Sequence, residues 1–166
     1  MNFAWADLES ALNAPPRFFV QEPDGRKDWS EEKRQEAFFA GLHRAGPKCM
    51  AHHIKNEGKY NYAKAKRGGV VSGVFDIRVD AERPLSAVVE FKGYTKAGRP
   101  GKLSQSQIDW GNCMLDRGWL VGCFFDPFDA LEWLRRNGFP IAKINGPDDA
   151  RNTARSFTMP KGPADE

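Results

Sequence analysis

Residues 73–80, Gly73-Val-Phe-Asp-Ile-Arg-Val-Asp80, and residues 86–93, Ser86-Ala-Val-Val-Glu-Phe-Lys-Gly93, decide how this chain is read. Side chains alternate along a strand. The first stretch therefore sets Phe75, Ile77 and Val79 on one side and Asp76, Arg78 and Asp80 on the other. The second sets Ala87, Val89 and Phe91 against Val88, Glu90 and Lys92. The connection Ala81-Glu-Arg-Pro-Leu85 is short, and its proline cannot continue a ladder, so a hairpin is expected. If Asp80 faces Ser86, the same register places Asp76 opposite Glu90.

Directly opposed residues have Cβ atoms roughly 5 Å apart, where like charges repel. A divalent cation removes that conflict, because Mg²⁺ takes carboxylate oxygens at about 2.0–2.1 Å and leaves positions open for water and phosphate. Lys92, on the same side as Glu90, then suits phosphodiester chemistry, orienting a nucleophile or neutralising a phosphoryl oxygen. A solvated face whose charges only keep the hairpin soluble is the competing reading of these two stretches.

A chain of 166 residues fits one domain with a sizeable core. No apolar run is long enough to span a bilayer, and residues 1–12 lack the pattern of a signal peptide, so an intracellular, cytoplasmic protein is expected. Cys49, Cys113 and Cys123 are odd in number and lack CxxC spacing, which favours reduced thiols in or near the core over a disulfide framework or zinc cluster. The net charge of +3 hides a strong asymmetry. Residues 55–67 and 92–102 carry nine basic side chains (Lys55, Lys59, Lys64, Lys66, Arg67, Lys92, Lys96, Arg99 and Lys102) against Glu57, which leaves the remainder net acidic. Cationic loops on an acidic body favour a localised polyanionic partner. Tyr60, Tyr62 and Tyr94 lie among them and are suited to stacking. Two solvated loops remain the alternative.

Residues 1–29 read as an N-terminal appendage with a short helix over Ala4–Leu12 and a turn at 22–25. Ser30 is expected to cap a helix whose first turn holds Glu31 and Glu32, whose apolar stripe is Phe38, Phe39 and Leu42, and which ends at Gly46-Pro47. Cys49–Asn56 reads as a strand and precedes the hairpin. Ser104 caps a helix to Arg117 with Gly118 as terminator. Trp119–Phe125 reads as a buried strand, and Asp126-Pro127 opens a last helix closed by Asn137-Gly138. Residues 141–166 read as a partly mobile tail. The expected class is α/β, with the order α-β-β-β-α-β-α.

This order, with Asp on the second strand and Glu-X-Lys on the third, resembles the PD-(D/E)XK nuclease superfamily and, more narrowly, the VRR-NUC family, including its stand-alone phage-type members. The stretches that carry the likeness are His52-His-Ile-Lys-Asn-Glu-Gly58, Gly69-Val-Val-Ser-Gly-Val-Phe-Asp-Ile77, Val88-Val-Glu-Phe-Lys92 and Leu103-Ser-Gln-Ser-Gln107. The resemblance implies a restriction-endonuclease-like core over residues 30–140, with a mixed central sheet flanked by helices. It implies that Asp76, Glu90 and the backbone carbonyl of Phe91 hold Mg²⁺ or Mn²⁺, that Lys92 is the catalytic lysine, and that Gln107 joins the site. A glutamate of the first helix often joins as well, and Glu32, three residues before Gln35, is selected over Glu31. The family's usual proline before the aspartate is Phe75 here, and Lys55 stands where many relatives have proline.

The resemblance thus implies a metal-dependent DNA endonuclease acting on branched or junction DNA as a homodimer. A non-catalytic nucleic-acid-binding module, or a nuclease acting on RNA, is the alternative. Lys55, Asn56, Lys59, Lys64, Lys66, Arg67, Lys96, Arg99 and Lys102 are the expected nucleic-acid contacts, and His53 is a candidate substrate contact. Gln107 has two open roles, since Ser104-X-X-Gln107 also spells a capping box.

Overall fold

Ser30 accepts a hydrogen bond from the Lys33 amide and starts α1 (Glu31–Ala45), which ends at Gly46. In the computed structural model, which describes residues 13–54, 71–82 and 84–144, this helix is preceded by β1 (Phe19–Val20). It is followed by β2 (Cys49–His53), β3 (Ile77–Ala81), β4 (Ser86–Phe91), α2 (Gln105–Asp116), β5 (Leu120–Phe124) and α3 (Pro127–Arg136). The strands form one mixed sheet in the order β1-β5-β4-β3-β2. β2, β3 and β4 are antiparallel neighbours, while β5 runs parallel to both β4 and β1. The class is α/β, as expected. The helix over Ala4–Leu12 and the residues from Asn145 onward lie outside the described residues. Among the described residues no helix is long and apolar enough to cross a membrane.

The hairpin register is the one required by its short connection: Asp80 pairs with Ser86 and Ile77 with Val89. Period-two alternation then separates two apolar layers. Ile77, Val79, Ala87, Val89 and Phe91 pack with Phe38 and Leu42 of α1 and with Ala130, Leu131 and Leu134 of α3. Val88, Val121 and Cys123 face the other way, toward Trp110 and Met114 of α2. Phe75 departs from the expected grouping and joins this second layer, edge-on to Phe18 and beside Trp110. The reason is local: β3 begins at Ile77, so strand alternation does not reach back to residue 75. The cysteines are free; Cys123 is buried, but Cys113 is exposed on α2 rather than near the core.

The sequence reading gives residues 1–29 no part in the sheet, yet β1 pairs with β5 and Phe18 enters the core. Gln21 Oε1 accepts from the Phe125 and Asp126 amides, both at 2.8 Å. A buried charge holds the segment that follows. Arg34 of α1 is fully buried, pairs with Asp24 at 2.6 Å, and donates to the carbonyls of Arg26, Trp29 and Phe125. Arg26 pairs with Asp24 and with Asp126, bridging to the cap of α3. Burial opposes the ionisation of Asp24, but hydrogen bonds and charge from the two arginines hold its carboxyl below the ordinary range.

Removing one partner of a buried ion pair leaves the other uncompensated. Asp24→Ala is expected to cost about 3–5 kcal/mol in denaturant unfolding. A loss below about 1 kcal/mol would show that the carbonyls alone support Arg34.

Candidate metal centre

Asp76 stands one residue before β3, where the hairpin register brings it opposite Glu90, and its amide donates to Glu90 Oε2 at 3.2 Å. Glu90 lies between Val89 and Phe91 in β4 and is only 1% exposed. Its other oxygen accepts from Lys92 Nζ and from Gln107 Nε2, each at 2.5 Å. Lys92 reaches it because residues two apart on a strand point the same way. Gln35 Nε2 donates to Asp76 Oδ2 at 2.8 Å. Glu31, Asp76 and Glu90 each bring a carboxylate oxygen, and all three oxygens lie within 4.8 Å of one another.

Two glycines allow this convergence. A Cβ on Gly93 would lie 2.9 Å from the Glu31 nitrogen, so only glycine lets α1 begin against the end of β4. Gly73, at φ +81°, packs its backbone against the first turn of α2, and a Cβ there would lie 2.1 Å from the Ser106 carbonyl oxygen. That contact sets α2 and Gln107 beside the Asp76 approach. Gln107 makes two contacts at once: its Oε1 accepts from the Ser104 amide at 3.0 Å in a complete capping box, while its Nε2 donates to Glu90.

The other candidates divide. Glu32 is exposed, and the structure brings Glu31, not Glu32, to the acids. Gln35 meets Asp76. Glu31, four residues earlier, lies about 40° from it around the helix and Glu32, three earlier, about 60° to the other side, so both spacings put a glutamate near Gln35 and the packing of α1 decides between them. Glu31 and Gln35 are the α1 groups that meet these acids, where the sequence pointed to Glu32. Phe91 ends β4, directly after Glu90. His53 is exposed and pairs with Ile77, which puts it on the sheet face opposite to that of Glu90. Lys96, Arg99 and Lys102 are exposed on the segment between β4 and α2. Lys55, Asn56, Lys59, Lys64, Lys66 and Arg67 lie outside the described residues.

No family model, no curated protein and no solved structure matches this chain.

Desolvation is the leading cause that pushes the Glu90 carboxyl up to about 7, with the Asp76 charge adding to it and Lys92 opposing it. Burial alone would lower the Lys92 ammonium, but the adjacent Glu90 charge raises it, so the lysine stays protonated. Among the described residues, Lys92 is the cation hydrogen-bonded to Glu90. Glu31, Asp76 and Glu90 are the oxygen donors that could hold a divalent cation here.

A carboxyl that rises from 4.5 to about 7 on folding stabilises the fold fully below the lower value and loses that contribution as pH rises through the higher one. Without divalent ions, stability is expected to fall by about 3 kcal/mol between roughly pH 4.5 and 8. Glu90→Gln should flatten most of that slope in urea unfolding measured across the range. Since a cation must displace the Glu90 proton, Mn²⁺ should raise the melting temperature more at about pH 8 than at about pH 5.5. Equal shifts would exclude Glu90 as a ligand.

Proposed function

We propose that this chain is a Mg²⁺- or Mn²⁺-dependent nuclease that hydrolyses phosphodiester bonds in DNA. The observation that carries the reading is Glu90. A carboxylate buried to 1% exposure, beside Asp76 and Glu31, is costly for a purely structural sheet, yet it is what a cation site on a polyanion-cutting enzyme requires. The resemblance of the Asp76, Glu90-Phe-Lys92 and Gln107 stretches to the VRR-NUC family, with its restriction-endonuclease-like core, supports the same reading. It also motivates branched or junction DNA and a homodimer as the working form.

A divalent ion at this site would lower the pKa of water and stabilise charge developing on the phosphoryl oxygens. The chain's own groups do the remaining work. Gln35 holds the Asp76 carboxylate in position, and Gln107 holds that of Glu90. Lys92 spends one of its three donors on Glu90. Its other two can orient the attacking water and neutralise a phosphoryl oxygen. The exposed Lys96, Arg99 and Lys102 are placed to contact phosphates and to tolerate any sequence.

Linear, flapped and four-way DNA, with a matched RNA, would be incubated with the protein and Mg²⁺ or Mn²⁺. Asp76→Ala and Lys92→Ala are expected to lower cleavage by about 10²–10⁴-fold. Gln35→Ala should weaken the metal dependence by about 10–100-fold. Absence of cleavage by the native protein, or rates unchanged in both Asp76→Ala and Lys92→Ala, would overturn the reading in favour of a binding module. Cutting of RNA alone would reassign the substrate.

A further inference from the structure

The segment that leaves the centre after Lys92 is a built turn. Tyr94 bridges to Pro100, the Thr95 amide donates to the Arg99 carbonyl at 2.8 Å, and the Gly101 amide returns to the Gly93 carbonyl at 2.8 Å. A second turn, residues 24–27, is stapled to it. The Gly25 amide donates to the Tyr94 hydroxyl at 2.6 Å, and the same hydroxyl lies 3.5 Å from Asp24. Beneath them the Arg34 guanidinium sits 5.8 Å from the Tyr94 ring centre while paired to Asp24. At the tip, a Cβ on Gly98 would be 3.4 Å from Lys27 Nζ, so the lysine of the second turn lies directly over the first.

The charges sort into two groups. Asp24, Arg26, Arg34 and Asp126 neutralise one another. Among the described residues Lys27, Lys96, Arg99 and Lys102 form no ion pair, and residues 93–102 contain no acid; Glu22, Asp28, Glu31 and Glu32 are the opposing charges near Lys27 in sequence. The double turn is also rooted at the metal centre. A Cβ on Gly101 would touch Lys92 at 3.5 Å, and Gly93 abuts the start of α1 at Glu31.

We propose that the two turns form one cationic clamp for the sugar–phosphate backbone of the DNA strand being cut, and that Lys27, supplied by the segment before α1, is one of its phosphate contacts. This rests on the nuclease reading for the nature of the polyanion. The clamp is fixed by the Arg34–Asp24–Tyr94 staple instead of being ordered by substrate, which limits the entropy lost on binding.

The test measures binding of the full chain to labelled duplex and four-way DNA in Ca²⁺, over about 50–200 mM salt. Lys27→Ala should weaken binding and make the slope of log affinity against log salt shallower by about 0.9, the value of one phosphate contact. Lys27→Arg should retain both. Lys48→Ala, at the far end of the β2–β3 ladder from Asp76, should change neither. In Mg²⁺, Lys27→Ala should raise KM and leave kcat near the native value. Tyr94→Phe removes the staple's acceptor, so Lys27→Ala should lose less in that background. A native protein that binds and cuts while Lys27→Ala keeps its salt slope overturns the clamp alone. A folded native protein that neither binds nor cuts DNA overturns the nuclease reading and the clamp together. An equal Lys27→Ala effect with and without the Tyr94 hydroxyl overturns the staple.

Discussion

A carboxylate buried at the end of β4 cannot be ionised without compensation, and most of the arrangement around Glu90 supplies it. The neighbours Val88, Val89 and Phe91 are as buried as Glu90 itself, so an apolar residue would fit this position and cost nothing in desolvation. Instead three donors converge from three places: Lys92 from the same strand, Gln107 from α2, and the Asp76 amide from the approach to β3. Burial, with the Asp76 charge, pushes the carboxyl up to about 7 against the opposing pull of Lys92 and the Asp76 amide. Carboxylate oxygens of Asp76 and Glu31 lie within 4.8 Å, and the charge of Asp76 adds to the cost of ionising Glu90.

Arg34 imposes the second constraint. A fully buried guanidinium on α1 requires an acid and several carbonyls, and residues 24–29 must fold over the start of the helix to provide them. The same wrapping places Trp29 and Ser30 at the helix entrance, next to Glu31 and Gly93. The two buried charges are thus linked mechanically: one draws the N-terminal segment down, and the other uses the helix end that this segment fixes.

Local signals carried much of this in the sequence. Strand alternation, a short proline-containing connection and the Ser104 and Asp126 caps are properties of neighbouring residues, so the hairpin register, α2, β5 and α3 could be read without tertiary knowledge. The parts that escaped depend on distant partners. β1 has two residues, pairs in parallel with β5, and shows no alternation of its own. Arg34 continues the helical spacing of Phe38 but as a charge, so its burial becomes visible only with Asp24 in place. Choosing Glu31 over Glu32 needs the rotation of α1 about its axis, which the packing of the helix decides.

Gln107 shows why a local motif and a site residue need not compete. An amide has an acceptor end and a donor end. The capping box consumes the acceptor, because the Ser104 amide must be satisfied at the start of α2. With that oxygen committed, the orientation of the amide is determined, and its nitrogen points at Glu90. Glutamate would satisfy the same backbone donor but set another carboxylate against a buried one, and alanine would abandon both. The helix cap therefore does more than start a helix: it aims an amide donor at the buried carboxylate of Glu90.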